Sequence, residues 1–268
     1  MLEFSVSEKK IIENAQNRFF ERLAENGIFV DQRDDFDRYA AIRHQHGDQN
    51  LNQAFDPQHV KFNRDDFWLL AQNGRGEAIA TYCLRRLMVG DFFELIRSLA
   101  LWSCTSRHPP DPRFVVACEI PPFGGEVVHC GGLWIRNDYR GFARLAVVMP
   151  HLARALALRQ RPFDHDSAMI RDNPGDRAEM AERKAVFMGQ KVYGFARVHR
   201  FVDGWFPPEG RNATVHLCHL TRAEAVASLA RAKPVGQRLR CAGEFGNPPL
   251  VDQNYELVHT TTVLSQRQ

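Results

Sequence analysis

The 268-residue sequence contains no pair of cysteines in C-x-x-C spacing; its six cysteines stand at positions 83, 104, 118, 130, 218 and 241. That irregular scatter, in a chain read without a secretory signal, points to reduced, mostly buried thiols and not to a disulfide framework or a zinc site. The histidine pairs His44-x-His46 and His216-x-x-His219 have no further ligands at a recognisable spacing, so no metal site is expected. Long apolar runs are also missing: stretches such as Leu145 to Met149 fall far short of the ~20 residues a bilayer-spanning helix needs. The opening segment MLEFSVSEKK lacks a basic stretch followed by an apolar one, so no signal peptide is read, and a cytoplasmic protein without a membrane partner is expected. Lysine is scarce, 6 of the 35 basic residues, the other 29 being arginine. Basic and acidic residues interleave, no basic run reaches five, and the net charge is only +3, which argues against a nucleic-acid partner. What is present, 44% hydrophobic and 25% charged residues, is the content of a chain that buries a full core.

The hydrophobic period divides the chain into elements. Ile11, Ile12, Ala15, Phe19 and Leu23 recur at helix spacing, with Ser7 as cap and Gly27 as stop. A second helix is expected over 34–43, followed by a polar loop, HGDQNLNQ. Residues 67–71 and 78–84, joined by Asn73-Gly74-Arg75-Gly76, form a β-hairpin. A helix over 91–102 stops at the segment SRHPPDP. Strands are expected at 114–120 and 127–136, then a turn at 137–141 and a helix over 142–159, kinked at Pro150, with Leu145, Val148, Leu152, Ala155 and Leu156 on one face. Further on come a strand at 167–171, a helix at 176–187, strands at 193–202 and 213–220, and a helix at 221–232 in which Thr221 and Glu224 make a capping box. The pattern fits one mixed α/β domain over residues 1–232, with a helical insertion and a C-terminal extension, 233–268, packed on the same domain.

One segment carries local chemistry. Where the strand 127–136 turns into the helix after it, the first helical amides have no internal partners and the helix dipole presents its positive end. Gly141 allows close backbone approach, and Arg140 and Arg144 flank the amides of 141–145. Such a helix start suits a diphosphate.

The order of parts resembles the GNAT (acyl-CoA N-acyltransferase) superfamily. The resemblance runs over about residues 60–205 and rests on DFWLLAQNGRGEAIATYCLRRL, GGLWIRNDYRGFARL, and NPGDRAEMAERKAVF followed by YGFARV. It implies a central, mostly antiparallel mixed sheet with a strand, pyrophosphate loop and helix unit. It also implies acetyl-CoA or another acyl-CoA as cosubstrate, held by the backbone of Leu133, Trp134 and Ile135 and by the loop and helix start at Arg140, Gly141, Phe142, Ala143, Arg144 and Leu145. The family's loop has a Gln/Arg-x-x-Gly-x-Gly/Ala pattern. Read from Arg140, its small positions fall on Ala143 and Leu145; read from Asp138, they fall on Gly141 and Ala143.

Acyl transfer to an amine needs a base for the ammonium proton and an acid for the leaving thiolate. Strand alternation places His129, Gly131, Leu133 and Ile135 on one face, with Glu126, Val128 and Cys130 on the other. His129 is the first candidate base and Glu126 the second. The acid implied by the family is a tyrosine after the helix at 176–187; Phe187 occupies the direct position and Tyr193 is the nearest tyrosine downstream. Cys118 and Cys130 are read as structural. The expected activity is transfer of an acyl group from coenzyme A to a small-molecule or peptide amine. The alternatives are a non-catalytic GNAT-like module that binds acyl-CoA or a protein partner, and an acyl-homoserine-lactone-synthase-like enzyme using an adenosylmethionine substrate. No segment identifies the acceptor or the oligomeric state.

Overall fold

The computed structural model of the chain describes residues 3–48, 51–103, 113–116, 121–172 and 178–232. The extension 233–268, including Tyr255, His259 and Thr260 to Thr262, lies outside them, as do Cys104, Cys118, Cys241 and most of the strand expected at 114–120. Within that last segment Val116 forms a single antiparallel bridge to Val202.

Seven strands make one sheet: β1 Phe29–Arg33, β2 Phe67–Gln72, β3 Ala78–Val89, β4 Gly125–Ile135, β5 His165–Arg171, β6 Arg197–Phe206 and β7 Arg211–Thr221. Their spatial order is β1-β2-β3-β4-β5-β7-β6. Every neighbouring pair is antiparallel except β4 and β5, which run parallel. This is the mixed, mostly antiparallel sheet expected from the sequence.

Helices cover both faces. On one face α1 (Val6–Ala24), α4 (Leu145–Gln160) and α6 (Arg222–Arg231) pack together over a core built from Val128, Cys130, Ala168 and Leu220 of the strands. On the other, α2 (Phe36–Gln45) and α3 (Phe92–Arg97) close a second core with Phe55, Trp68, Val127 and Leu217. A further helix, α5 (Ala178–Phe187), runs into a π-helical turn, Met188–Val192.

Local chemistry explains most element ends, and it corrects several expectations. The cap of α1 is Ser5, not Ser7: its hydroxyl accepts from the Glu8 amide (3.2 Å) while the Glu8 carboxylate accepts from the Ser5 amide (2.8 Å), a complete capping box. The box at Thr221 and Glu224 is present as expected. The helix expected through residue 102 ends at Arg97, and Leu99 takes a left-handed conformation (φ 59°). α4 begins at Leu145, not 142, because Ala143 and Arg144 are not helical. It then runs through Pro150 to Gln160 and is buried almost all round, where the sequence suggested one apolar face. The strand expected from 193 starts at Arg197, since Tyr193 closes the π-helical turn.

Candidate functional site

The ladder between β4 and β5 is short. Val127, Val128, His129 and Cys130 pair with His165, Asp166, Ser167 and Ala168, and there the pairing stops. Beyond it β4 continues to Ile135 bonded to β3 alone, while β5 continues to Arg171 bonded to β7. A β-bulge sits at the point of separation: between the pairs Cys83–Gly131 and Thr81–Trp134, two steps along β3 face three along β4. Gly132 occupies the bulge at φ 61°, where a Cβ would come 2.7 Å from the Tyr39 hydroxyl, so the turn of the backbone requires glycine. An extra residue also exchanges the faces of the residues after it. Leu133 and Ile135 therefore pack with Val128 and Cys130, contrary to the alternation expected from the sequence, which grouped them with His129.

The open half of β4 leads straight into the loop before α4. Three residues there have positive φ: Gly141 (78°), Ala143 (47°) and Arg144 (53°). Two of them carry a Cβ, a strained arrangement that the surrounding structure must hold in place. The loop is braced from the β2–β3 turn: Arg136 bonds Glu77 (3.2 Å) and Asp138 (2.7 Å), and Asn73 donates to the Tyr139 hydroxyl (3.1 Å). Left-handed residues at Gly141, Ala143 and Arg144, ahead of the right-handed Leu145, make the kind of turn whose amides suit an anion. The N-terminus of α4 adds to it, because Arg144 makes no side-chain cap and the first turn has no acidic residue. Arg140 and Arg144 are exposed beside it, and neither is in an ion pair among the described residues. Leu145 is ordinary right-handed helix and buried in the core. Leu145 therefore belongs to the helix, and Gly141 and Ala143 are the small residues of the turn before it.

The expected acid and bases are divided by the structure. Tyr193 is half-buried against the core that holds Leu133 and Ile170, and its carbonyl accepts from Arg154 (3.0 Å). That core is the one formed with Val128, Cys130 and Ala168 of β4 and β5 and Cys218 of β7. Burial pushes the Tyr193 phenol well above the usual range, which keeps the proton on it. Phe187 is 42% exposed on the outer side of α5, facing away from this core.

Glu126 does not belong with these groups. It begins the closed half of β4, seven residues or about 20 Å along the strand from Leu133. Its carboxylate is engaged by Arg86 and, at 2.9 Å, by Arg161, with the Arg86 guanidinium also bonded to the carbonyls of Ala157 and Arg161. These bonds tie β3 and β4, through the carboxylate of the second candidate base, to the end of α4.

His129 is intermediate in place and buried in fact, at 2% exposure. Phe55 stacks on it at 5.6 Å and Phe92 lies at 5.9 Å. Burial, with the Arg85 guanidinium adding to it, lowers its pKa to about 3, so the ring is neutral. Ser167 Oγ donates to the Val128 carbonyl (3.2 Å) and lies 3.1 Å from His129 Nδ1. With that hydroxyl proton already used, Nδ1 is the donor and Nε2 the accepting nitrogen.

Two features were missed from the sequence. The bulge was announced only by the pair Gly131-Gly132 inside a strand pattern. The buried ion pair of Arg154 with Asp166 (2.6 Å), beneath the end of the β4–β5 ladder, left no local signal, because its partners are on different elements. Asp166 also accepts from the Cys130 thiol (3.4 Å), which burial keeps protonated; Cys130 is structural, as expected.

No family model and no curated protein matches the sequence. Among solved structures the chain is similar to a GCN5-related N-acetyltransferase from Kribbella flavida, at 14% identity over 73% of this chain and 98% of that one, with a TM-score of 0.41. It is also similar to spermidine N-acetyltransferase from Vibrio cholerae, at 9% identity over 74% and 95% of the two chains, with a TM-score of 0.43. A third is the CoA-dependent acyl-homoserine lactone synthase BjaI, solved with SAM and isopentyl-CoA: 15% identity, 82% of each chain, TM-score 0.38. At such identities the candidate site is read from its own geometry. Among the described residues no helix is long and apolar enough to cross a membrane, and no group of three or more histidine, cysteine or acidic side chains could hold a metal ion.

Proposed function

We propose that the chain is a GNAT-type acyltransferase that moves an acetyl or other acyl group from coenzyme A to an amine. The observation that carries this reading is the continuity of the open half of β4, Gly131–Ile135, with the positive-φ loop at Gly141, Ala143 and Arg144. A backbone flank without a strand partner suits the amide groups of a pantetheine arm, and the loop with Arg140 and Arg144 suits a diphosphate. Leu133 to Ile135 would hold the first and residues 140–145 the second.

An acyl-CoA brings an activated thioester to such a groove. The chain's own groups then have separate tasks. Tyr193, protonated and packed on the core that also holds Leu133, gives its hydroxyl proton to the departing sulfur. The amine nitrogen bonds the acyl carbon as the carbon–sulfur bond breaks; His129 is buried and too weak a base to keep the amine's proton, so that proton passes to solvent water, from which the Tyr193 phenolate is reprotonated. Glu126 has no part in the reaction. The same groove without turnover would be a binding module, and this second reading is favoured by the burial of His129 behind Phe55 and Phe92.

Thermal unfolding with acetyl-CoA tests the proposal. At about 100 times its dissociation constant a ligand adds ~2.7 kcal/mol to stability. Stabilisation with thiol release in the presence of amines supports the enzyme, and stabilisation without release supports the module. No stabilisation by acetyl-CoA or longer acyl-CoAs sinks both.

A further inference from the structure

On the face of the sheet that carries His129, cross-strand neighbours form a polar row: Arg85, His129, Ser167, His219 and Arg197 succeed one another across β3, β4, β5, β7 and β6. The far end of this row is not used in the proposed chemistry. There His165 Nδ1 lies 2.9 Å from His219 Nε2, and His219 Nδ1 lies 3.3 Å from a guanidinium nitrogen of Arg197. Phe123 stacks on His219 at 4.2 Å and packs on His165 at 4.8 Å. Arg197 is itself fixed by a bidentate pair with Glu224 (2.6 and 3.1 Å), the residue that caps α6.

The direction of each hydrogen bond is set by one fact: a guanidinium only donates. Arg197 therefore donates to His219 Nδ1, which must be unprotonated. His219 carries its proton on Nε2 and donates to His165 Nδ1, which must be unprotonated in turn. Both rings are neutral and both are Nε2–H tautomers. The chain has no place for another proton. On His219 it would set an N–H against the Arg197 N–H; on His165 it would set one against the His219 Nε2–H.

We propose that Arg197, His219 and His165 form a proton-sensitive latch that ties β6, β7 and β5 together at neutral pH and releases them on acidification. Its position gives it a consequence. His165 is paired with Val127, the first rung of the short β4–β5 ladder, so the latch grips the closed end of the separation between those strands. The groups facing it are Asp164 beside β5 and Glu224 on α6, which favour a proton, and Arg197 and His199 on β6, which oppose one. Burial is the largest influence on both rings and lowers both, His219 to about 4. The latch accordingly holds through the usual 6.5 of histidine and opens as the pH falls towards 4.

Nitrogen-15 NMR of the imidazole rings between pH 8 and 4, with amide exchange on the same sample, tests this. The expected result is two neutral Nε2–H rings at pH 6 that titrate together below it. Amide exchange around 165 and 219 should quicken at least about tenfold over the same range. In Arg197→Met the His219 transition should move up towards 6.5, and in His165→Gln, whose carbonyl still accepts from His219, the pH response of exchange should fade. A ring titrating near 6.5 in the unaltered chain, an Nδ1–H tautomer at His219, or strand exchange indifferent to the titration would each overturn the latch. The tautomer measurement decides even if a variant fails to fold. None of these readouts depends on acyl-CoA, so the latch and the proposed function can fail separately.

Discussion

The two halves of β4 differ in what they offer a ligand. The first, Gly125–Cys130, is bonded on both sides and carries the residues with the most reactive side chains, Glu126, His129 and Cys130; all three are tied down, by Arg86 and Arg161, by Ser167 and two phenylalanine rings, and by Asp166. The second, Gly131–Ile135, has glycines and apolar side chains only, yet it is the half with a free flank and the half that opens onto the positive-φ loop. Reactive residue types mark the closed half because a buried polar group must be satisfied. The open half differs in having a flank with no strand partner on the β5 side. In this sheet the main chain makes the candidate site and the side chains make the scaffold beside it.

Breaking the closed half should have the largest effect. Arg154→Ala leaves Asp166 as a buried carboxylate without its counter-charge beneath the β4–β5 ladder, and removing one member of such a pair costs about 3–5 kcal/mol. Chemical denaturation should show that loss, while an intact midpoint would mean that the pair is not buried as described. Next, Tyr193→Phe should lower kcat about 100-fold, the lower end of what a general acid contributes, with little change in KM for acyl-CoA. Replacing Arg140 and Arg144 together by Ala should weaken acyl-CoA binding about tenfold or more in calorimetry, the loss of charge-assisted contacts worth ~1.5–3 kcal/mol. Smallest on turnover is Glu126→Gln: a destabilised protein, but kcat within about twofold, because the carboxylate serves the scaffold.

Three buried histidines, one of them in the closed half, also set a pH dependence. Burial lowers His129 to about 3 and His151 and His219 to about 4, against 6.5 for an ordinary histidine. Below 6.5 the unfolded chain takes up protons that the folded chain refuses, so stability present at pH 7 is lost as the pH falls towards 4. A melting temperature that stays level between pH 7 and 4.5 would contradict this.

Much of the fold was legible because it repeats locally. The hairpin at Asn73-Gly74-Arg75-Gly76, the capping box at Thr221 and the period of α1 are each written within a few residues. Element ends were less legible where a backbone conformation decides them: nothing in the residue types of Ala143 and Arg144 announces positive φ, so α4 was begun too early. The turn that carries Arg140 and Arg144 into α4 was legible because a strand running into a helix has a recognisable pattern. The ion pairs of Glu126 were not legible because its partners, Arg86 and Arg161, are distant in sequence. The faces of Leu133 and Ile135 were reversed by one extra residue at Gly132, since alternation counts residues and a bulge adds one without changing composition.

The central claim, that the open half of β4 and the loop after it form the acyl-CoA groove, is tested most directly by residue-resolved amide hydrogen exchange with and without saturating acetyl-CoA. The account predicts new protection at residues 131–135 and 141–147, with residues 126–130 unchanged. Binding that protects the closed half instead, or no protection at either segment, would contradict it.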